Sequence, residues 1–203
     1  RPPHFDGTMA ALAHGFPADV LVHALKYRGE LAVAGLLAQL LADGMPKAPV
    51  LADAGYGDAT AFREAINALG LSYAVGAQGQ ITVWPPGKAP LPPKRRHSGR
   101  GRPPTLLRRD ARHRPVSIEA FAKSLAPAQW QTVTWREGTK GAMRSRFARA
   151  RVRVAHRDDR RKEPCPQEWL LMEWPEDAAA PTKFWLSSVP EAVEIKELVG
   201  LVK

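Results

Sequence analysis

The chain has 203 residues, 44% hydrophobic and 25% charged, enough to bury a sizeable core as one domain with a large insertion or as two small domains. Its formal net charge of +10 points to a polyanion, and nucleic acid is favoured over membrane because no apolar run approaches the roughly 18–20 residues that span a bilayer; a merely soluble basic protein is the plainer reading. Cys165 is the single cysteine, which excludes an internal disulfide and suits a reducing compartment, and without CxxC or HExxH spacing a structural zinc site is not expected.

Arg1 stands first, and neither a charged n-region nor an apolar signal core follows it, so secretion is not indicated and the chain reads as part of a longer frame. Residues 1–16 have no usable periodicity and are expected to be poorly structured. His4 and Asp6, beside Pro2 and Pro3, read as loop rather than as metal ligands. Residues 30–41, ELAVAGLLAQLL, predict a helix covered on most sides and stopped at Gly44.

Residues 49–66, PVLADAGYGDATAFREAI, predict a strand at Val50–Ala52 buried on both faces, a turn through Gly55 and Gly57, and an amphipathic helix capped by Asp58 or Thr60. In that helix Phe62, Ile66 and Leu69 recur at i, i+4 and i+7, and Gly70 supplies the stop. A strand at 72–77 should lie parallel to the first, in an αβαβ order. Asp53 is left at the carboxyl end of the first strand, where open α/β sheets place functional groups. It is the first candidate for chemistry, and the alternative is that it only caps the turn.

A strand at 81–84 is followed by a change of character. Residues 85–116 hold eight prolines and ten basic side chains, opposed only by Asp110, and read as a linker or extended arm. SGRGRPP at 98–104 resembles the Gly-Arg-Pro core of AT-hook peptides, in which an extended backbone lets arginines enter a narrow minor groove. Arg95, Arg96, Arg100, Arg102, Arg108 and Arg109 are the DNA-contacting candidates here. Sequence-tolerant phosphate binding, true A·T readout and a purely solvated linker all remain open.

Ser117 is placed to cap a helix over 118–125. Residues 131–137, a turn at 138–141 and residues 143–156 predict a β-hairpin. Along its second strand Ala148, Ala150, Val152 and Val154 alternate with Arg149, Arg151 and Arg153, giving one apolar face and one guanidinium stripe. The stripe either tracks a phosphate backbone or keeps an exposed edge from aggregating. Strands at 167–174 and 182–187 complete a β-rich segment. Trp169, Trp174 and Trp185 sit among Leu170, Leu171, Met172 and Leu186 and read as core rather than as base-stacking platforms. Ile195, Leu198, Val199 and Val202 keep helical spacing up to Lys203.

The segments VLADAGYGDATAFREAINALGLSYAVG, TVWPPG, SGRGRPP, TVTWREGTKG, QEWLLMEWP and PTKFWLSS occur in the order seen in insertion-sequence transposases of the Asp-Asp-Glu superfamily, which the chain resembles from about Pro17 onward. The resemblance implies an α/β fold, a partial ribonuclease-H-like domain interrupted by a β-rich insertion domain. Its parts would be a poorly structured 1–16, catalytic core at 17–84, basic arm at 85–116, insertion at 117–189, and the start of the core's C-terminal helical segment at 190–203. It also implies three antiparallel strands before the first strand seen here.

The chemistry implied is hydrolysis of a phosphodiester followed by attack of the freed 3′ hydroxyl on target DNA, with two Mg²⁺ ions held by three carboxylates. Asp53 matches the second of these. The family's first Asp would lie upstream of Arg1 and its Glu just beyond Lys203, while Glu30 and Glu64 read as helix surface and are poor substitutes. The chain alone is therefore expected to bind Mg²⁺ weakly and not to cleave DNA. Its implied partners are transposon ends and target DNA, in a homo-oligomer, with no membrane, in the bacterial cytoplasm with the nucleoid. The alternative is a non-catalytic basic DNA-binding module or a decayed transposase remnant. A small-molecule enzyme built on ADAGYG has neither a nucleotide-phosphate fingerprint nor a visible nucleophile and base behind it.

Overall fold

A computed structural model describes residues 47–94, 104–138 and 141–203, together with 35, 38, 39 and 42–44. Residues 1–16 and most of the helix expected over 30–41 lie outside these. Gly35, Ala38, Gln39 and Ala42 are helical, and Gly44 at φ +87° takes the left-handed conformation that ends helices.

Strand β1 (Val50–Ala52) passes through the one-turn helix α1 (Ala54–Gly57) into α2 (Thr60–Ala68), then β2 (Tyr73–Ala77) and β3 (Thr82–Trp84). Beyond the arm follow β4 (Val116–Ser117), α3 (Ile118–Lys123), β5 (Gln131–Gly138), β6 (Gly141–Val154), β7 (Glu168–Trp174), β8 (Lys183–Ser187) and α4 (Ile195–Val202). The sheet order is β1-β2-β8-β7-β6-β3-β4, with β5 also paired to β6. β1 and β2 are parallel and the other pairs antiparallel, so the strands of 117–189 continue the sheet of β1 and β2 by way of β8.

Alternation along the strands builds two cores, one on each face of the sheet. Phe62 and Ile66 of α2 and Ile118, Phe121 and Ala122 of α3 pack with Val75, Val152, Leu170 and Met172. On the opposite face Leu198 and Val199 of α4 pack with Val133, Phe147, Trp169 and Leu171. The tryptophans behave as core: Trp169 is buried, Trp185 packs beside it, and Trp174 meets Trp130 edge-on at 5.3 Å. Ser117 caps α3 as expected, its Oγ accepting from the Ala120 amide at 3.1 Å, and Gly70 ends α2 at φ +68°.

Four local expectations are corrected. β1 ends the described sheet, so Leu51 is 58% exposed and not covered on both faces. The residue capping α2 is Ala59, with no side-chain bond, because the Asp58 carboxylate is used elsewhere, accepting from the Gln78 amide at 3.0 Å. β6 is not an edge strand: it pairs with β7 over residues 146–152 and, on its other side, with β5 up to Phe147 and with β3 at Arg153 and Val154, so the basic-edge alternative is left only to Arg149 and Arg151.

The fourth concerns Gly55 and Gly57, neither of which has a positive φ. A Cβ on Gly57 would overlap the Gly76 carbonyl, and one on Gly76 would lie 2.7 Å from the Ala54 nitrogen. Gly57 and Gly76 serve a close approach, which lets α1 lie directly on β2.

Candidate functional site

β1 delivers Asp53 to the sheet's end, exposed, with φ −75° and ψ 178°. There it is the N-cap of α1: Oδ1 accepts from the Gly55 amide at 3.0 Å. The capping alternative and the functional one thus coexist, since the cap engages one oxygen and Oδ2 has no hydrogen-bond partner among the described residues. Two devices fix α1 behind the carboxylate. One is the Gly57–Gly76 contact; the other is Arg63, only 3% exposed, whose guanidinium donates to the Gly57 carbonyl.

Arg63 opens a buried network that sequence reasoning missed. The Tyr73 hydroxyl donates to Glu168 Oε2 at 2.6 Å, and Arg63 Nε lies 4.0 Å from the same oxygen. Burial pushes the Glu168 carboxyl above the ordinary carboxylate range, with Arg63 and the Tyr73 hydrogen bond pulling partly back. Burial, then the neighbouring Glu168, pushes the Tyr73 phenol upward as well. The groups are shut away from solvent, so the network anchors α1 rather than exchanging protons with a substrate. One cue was present: Arg63 lies between Phe62 and Ile66 on the apolar side of α2.

Among the described residues no three His, Cys, Asp or Glu side chains lie close enough to hold a metal. Asp53 suits Mg²⁺ in kind, as an exposed hard oxygen donor, but one carboxylate does not make a two-ion site. Glu64 is surface, as expected, and pairs with Arg161; Glu30 lies outside the described residues. The thiol of Cys165 is raised by burial, which keeps it protonated and a poor nucleophile.

Arg95, Arg96, Arg100 and Arg102 lie outside the described residues, but both flanks of their segment are held. Leu91 and Arg108 exchange backbone hydrogen bonds of 2.9 and 3.0 Å. His113 stacks on Trp84 at 4.8 Å, and its Nε2 meets the Ala89 carbonyl at 2.6 Å. Beneath them sits Asp158, 1% exposed, accepting from the Trp84 indole N–H and from Arg109. Arg109 is thus tied to Asp158 and to the Ala155 carbonyl, whereas Arg108 is exposed, 3.8 Å from Asp110.

The guanidinium stripe on β6 is partly buried and clamped to backbone. Arg149 donates to the Val193 carbonyl, Arg151 to Gln167 at 2.8 Å and Arg153 to Cys165. Arg149 and Arg151 also lie over the Trp169 ring, 4.5 and 5.1 Å from its centre. Each guanidinium has five N–H donors, so one carbonyl does not exhaust it, but the Nε and Nη1 of Arg151 are buried without a partner among the described residues.

The chain thus combines a basic balance with an α/β sheet that presents an exposed carboxylate at the end of a parallel strand. Residues 11–142, more than half of the chain, match the family described as DDE superfamily endonuclease, and the chain belongs to it. Its fold, a mixed α/β domain with a mostly antiparallel sheet, is ribonuclease-H-like. Domains of this family act on DNA and generally use divalent metals. No curated protein matches the chain. None of the described helices is long and apolar enough to cross a membrane.

Proposed function

We propose that the chain serves the metal-dependent strand cleavage and strand transfer of an insertion-sequence DNA transposase, with Asp53 as one metal ligand. The observation behind this is Asp53 itself: exposed at the end of β1, one oxygen spent on the cap, its helix pinned to β2. Mg²⁺ keeps several waters and is commonly held by one or two carboxylates plus substrate phosphates. Asp53 next to bound DNA would make such a partial site, and the remaining carboxylates would come from outside the described residues. Arg95, Arg96, Arg100, Arg102, Arg108 and Arg109 of the arm, with Arg149, Arg151 and Arg153 of β6, would take the phosphates. Transposon ends and target DNA are the partners, paired through a homo-oligomer in the bacterial cytoplasm beside the nucleoid.

Asp53 belongs to no group of three potential metal ligands among the described residues, which also favours a second reading, a non-catalytic DNA-binding module. Both readings require salt-sensitive binding to duplex DNA. Fluorescence anisotropy across a salt series is expected to give a steep logarithmic slope, about −0.9 for each phosphate neutralised. A flat dependence would overturn both.

A further inference from the structure

The loop at 156–163, HRDDRRKE, has nearly balanced charge, and its sequence alone points nowhere. Folding sorts those charges. Asp158 turns inward to the Trp84 indole and Arg109, and Arg161 turns to Glu64. Arg157, Arg160 and Lys162 are left exposed, with no hydrogen-bond or ion-pair partner among the described residues. Their remaining opposition is Asp159 and Glu163, both exposed. Arg157 is the one non-glycine among the described residues with positive φ, at +52°. The left-handed turn at Arg157 comes immediately before the buried Asp158, while Arg157 and Arg160 stay exposed.

This loop is joined to the base of the arm. The Leu107 amide donates to the Arg161 carbonyl at 2.9 Å, and Arg109 reaches across to Asp158. Arg108, Arg112 and Arg114 are exposed on the arm side of that junction, with Asp110 the acidic residue among them. Two segments far apart in sequence, joined by the Leu107–Arg161 and Arg109–Asp158 hydrogen bonds, thus each carry three exposed cations. Unlike Arg149, Arg151 and Arg153, the three on the loop have side chains that engage no backbone carbonyl among the described residues.

We infer that the 156–162 loop and the base of the arm form one phosphate-backbone contact for duplex DNA, through Arg157, Arg160 and Lys162. The inference rests on the DNA-binding reading above and adds a surface to it. The test is anisotropy on the full chain with a labelled duplex across a salt series. It compares wild type with R157Q/R160Q/K162Q and with K123Q/K183Q/K196Q, which removes the same charge from exposed sites elsewhere. The loop variant is expected to flatten the logarithmic slope by about 2–3, at about 0.9 per phosphate contact, and the control variant by less than about 1. A steep wild-type slope that the loop variant leaves unchanged, or that both variants flatten equally, overturns the inference while DNA binding stands. A flat wild-type slope removes the DNA-binding reading and this surface together.

Discussion

Arg63→Met is expected to cost about 3–5 kcal/mol near pH 8, because it removes the cation that lies 4.0 Å from the buried Glu168 carboxyl and leaves only the weaker pull of Arg151. The cost should shrink towards pH 5. Burial holds Glu168 above the carboxylate range, so from its unfolded value up to the higher folded one the native state binds a proton that the unfolded chain has lost. Stability from this group is complete below that window and declines as pH rises through it. Arg63 is the first of the groups pulling the value down, so its removal extends the window upward and the variant loses more at high pH. Urea unfolding of both proteins at about pH 5 and about pH 8 measures this. An equal penalty at the two values would mean that Glu168 does not titrate with folding.

Gly57→Ala should be nearly as damaging. Its Cβ would overlap the Gly76 carbonyl, a backbone group with no rotamer to yield, so α1 must lift from β2. Overpacking of this kind costs about 3 kcal/mol, or about 6–12 °C in melting temperature for a chain of this size. Gly200→Ala is the contrast, since nothing lies within 4 Å of its added Cβ on α4. That change should stabilise by up to about 1 kcal/mol. Thermal melts of the two variants decide the matter, and an unaltered midpoint in Gly57→Ala would show that α1 does not need its close seat on β2.

The features legible in the sequence are those carried by local signals. Alternation found β6 with its apolar face, a run rich in Thr, Val and Trp found β5, and single residues such as Ser117 and Gly70 marked helix ends correctly. Asp53 was legible as well, because a polar residue at a strand's carboxyl end needs no long-range information. What spacing could not show is which distant group meets which. Gly57 looked like a turn glycine because its reason, the Gly76 carbonyl, belongs to another strand. Tyr73 and Glu168 are separated by 95 positions, and Arg109 and Asp158 by 49, so neither pair leaves a trace in local pattern. The same holds for the 156–162 loop, whose charges acquire a direction only once Asp158 is buried.

The most direct test of Asp53 is paramagnetic. With a short duplex bound and a low level of Mn²⁺ added, the account predicts that the backbone NMR signals of Ala52, Asp53, Ala54 and Gly55 broaden first. Asp53→Asn should abolish that broadening while leaving duplex binding unchanged, because asparagine still caps α1 but no longer offers a charged oxygen pair. Broadening centred instead on Asp110 or Asp159, or persisting around position 53 in the Asn variant, would contradict a metal-holding role for this residue.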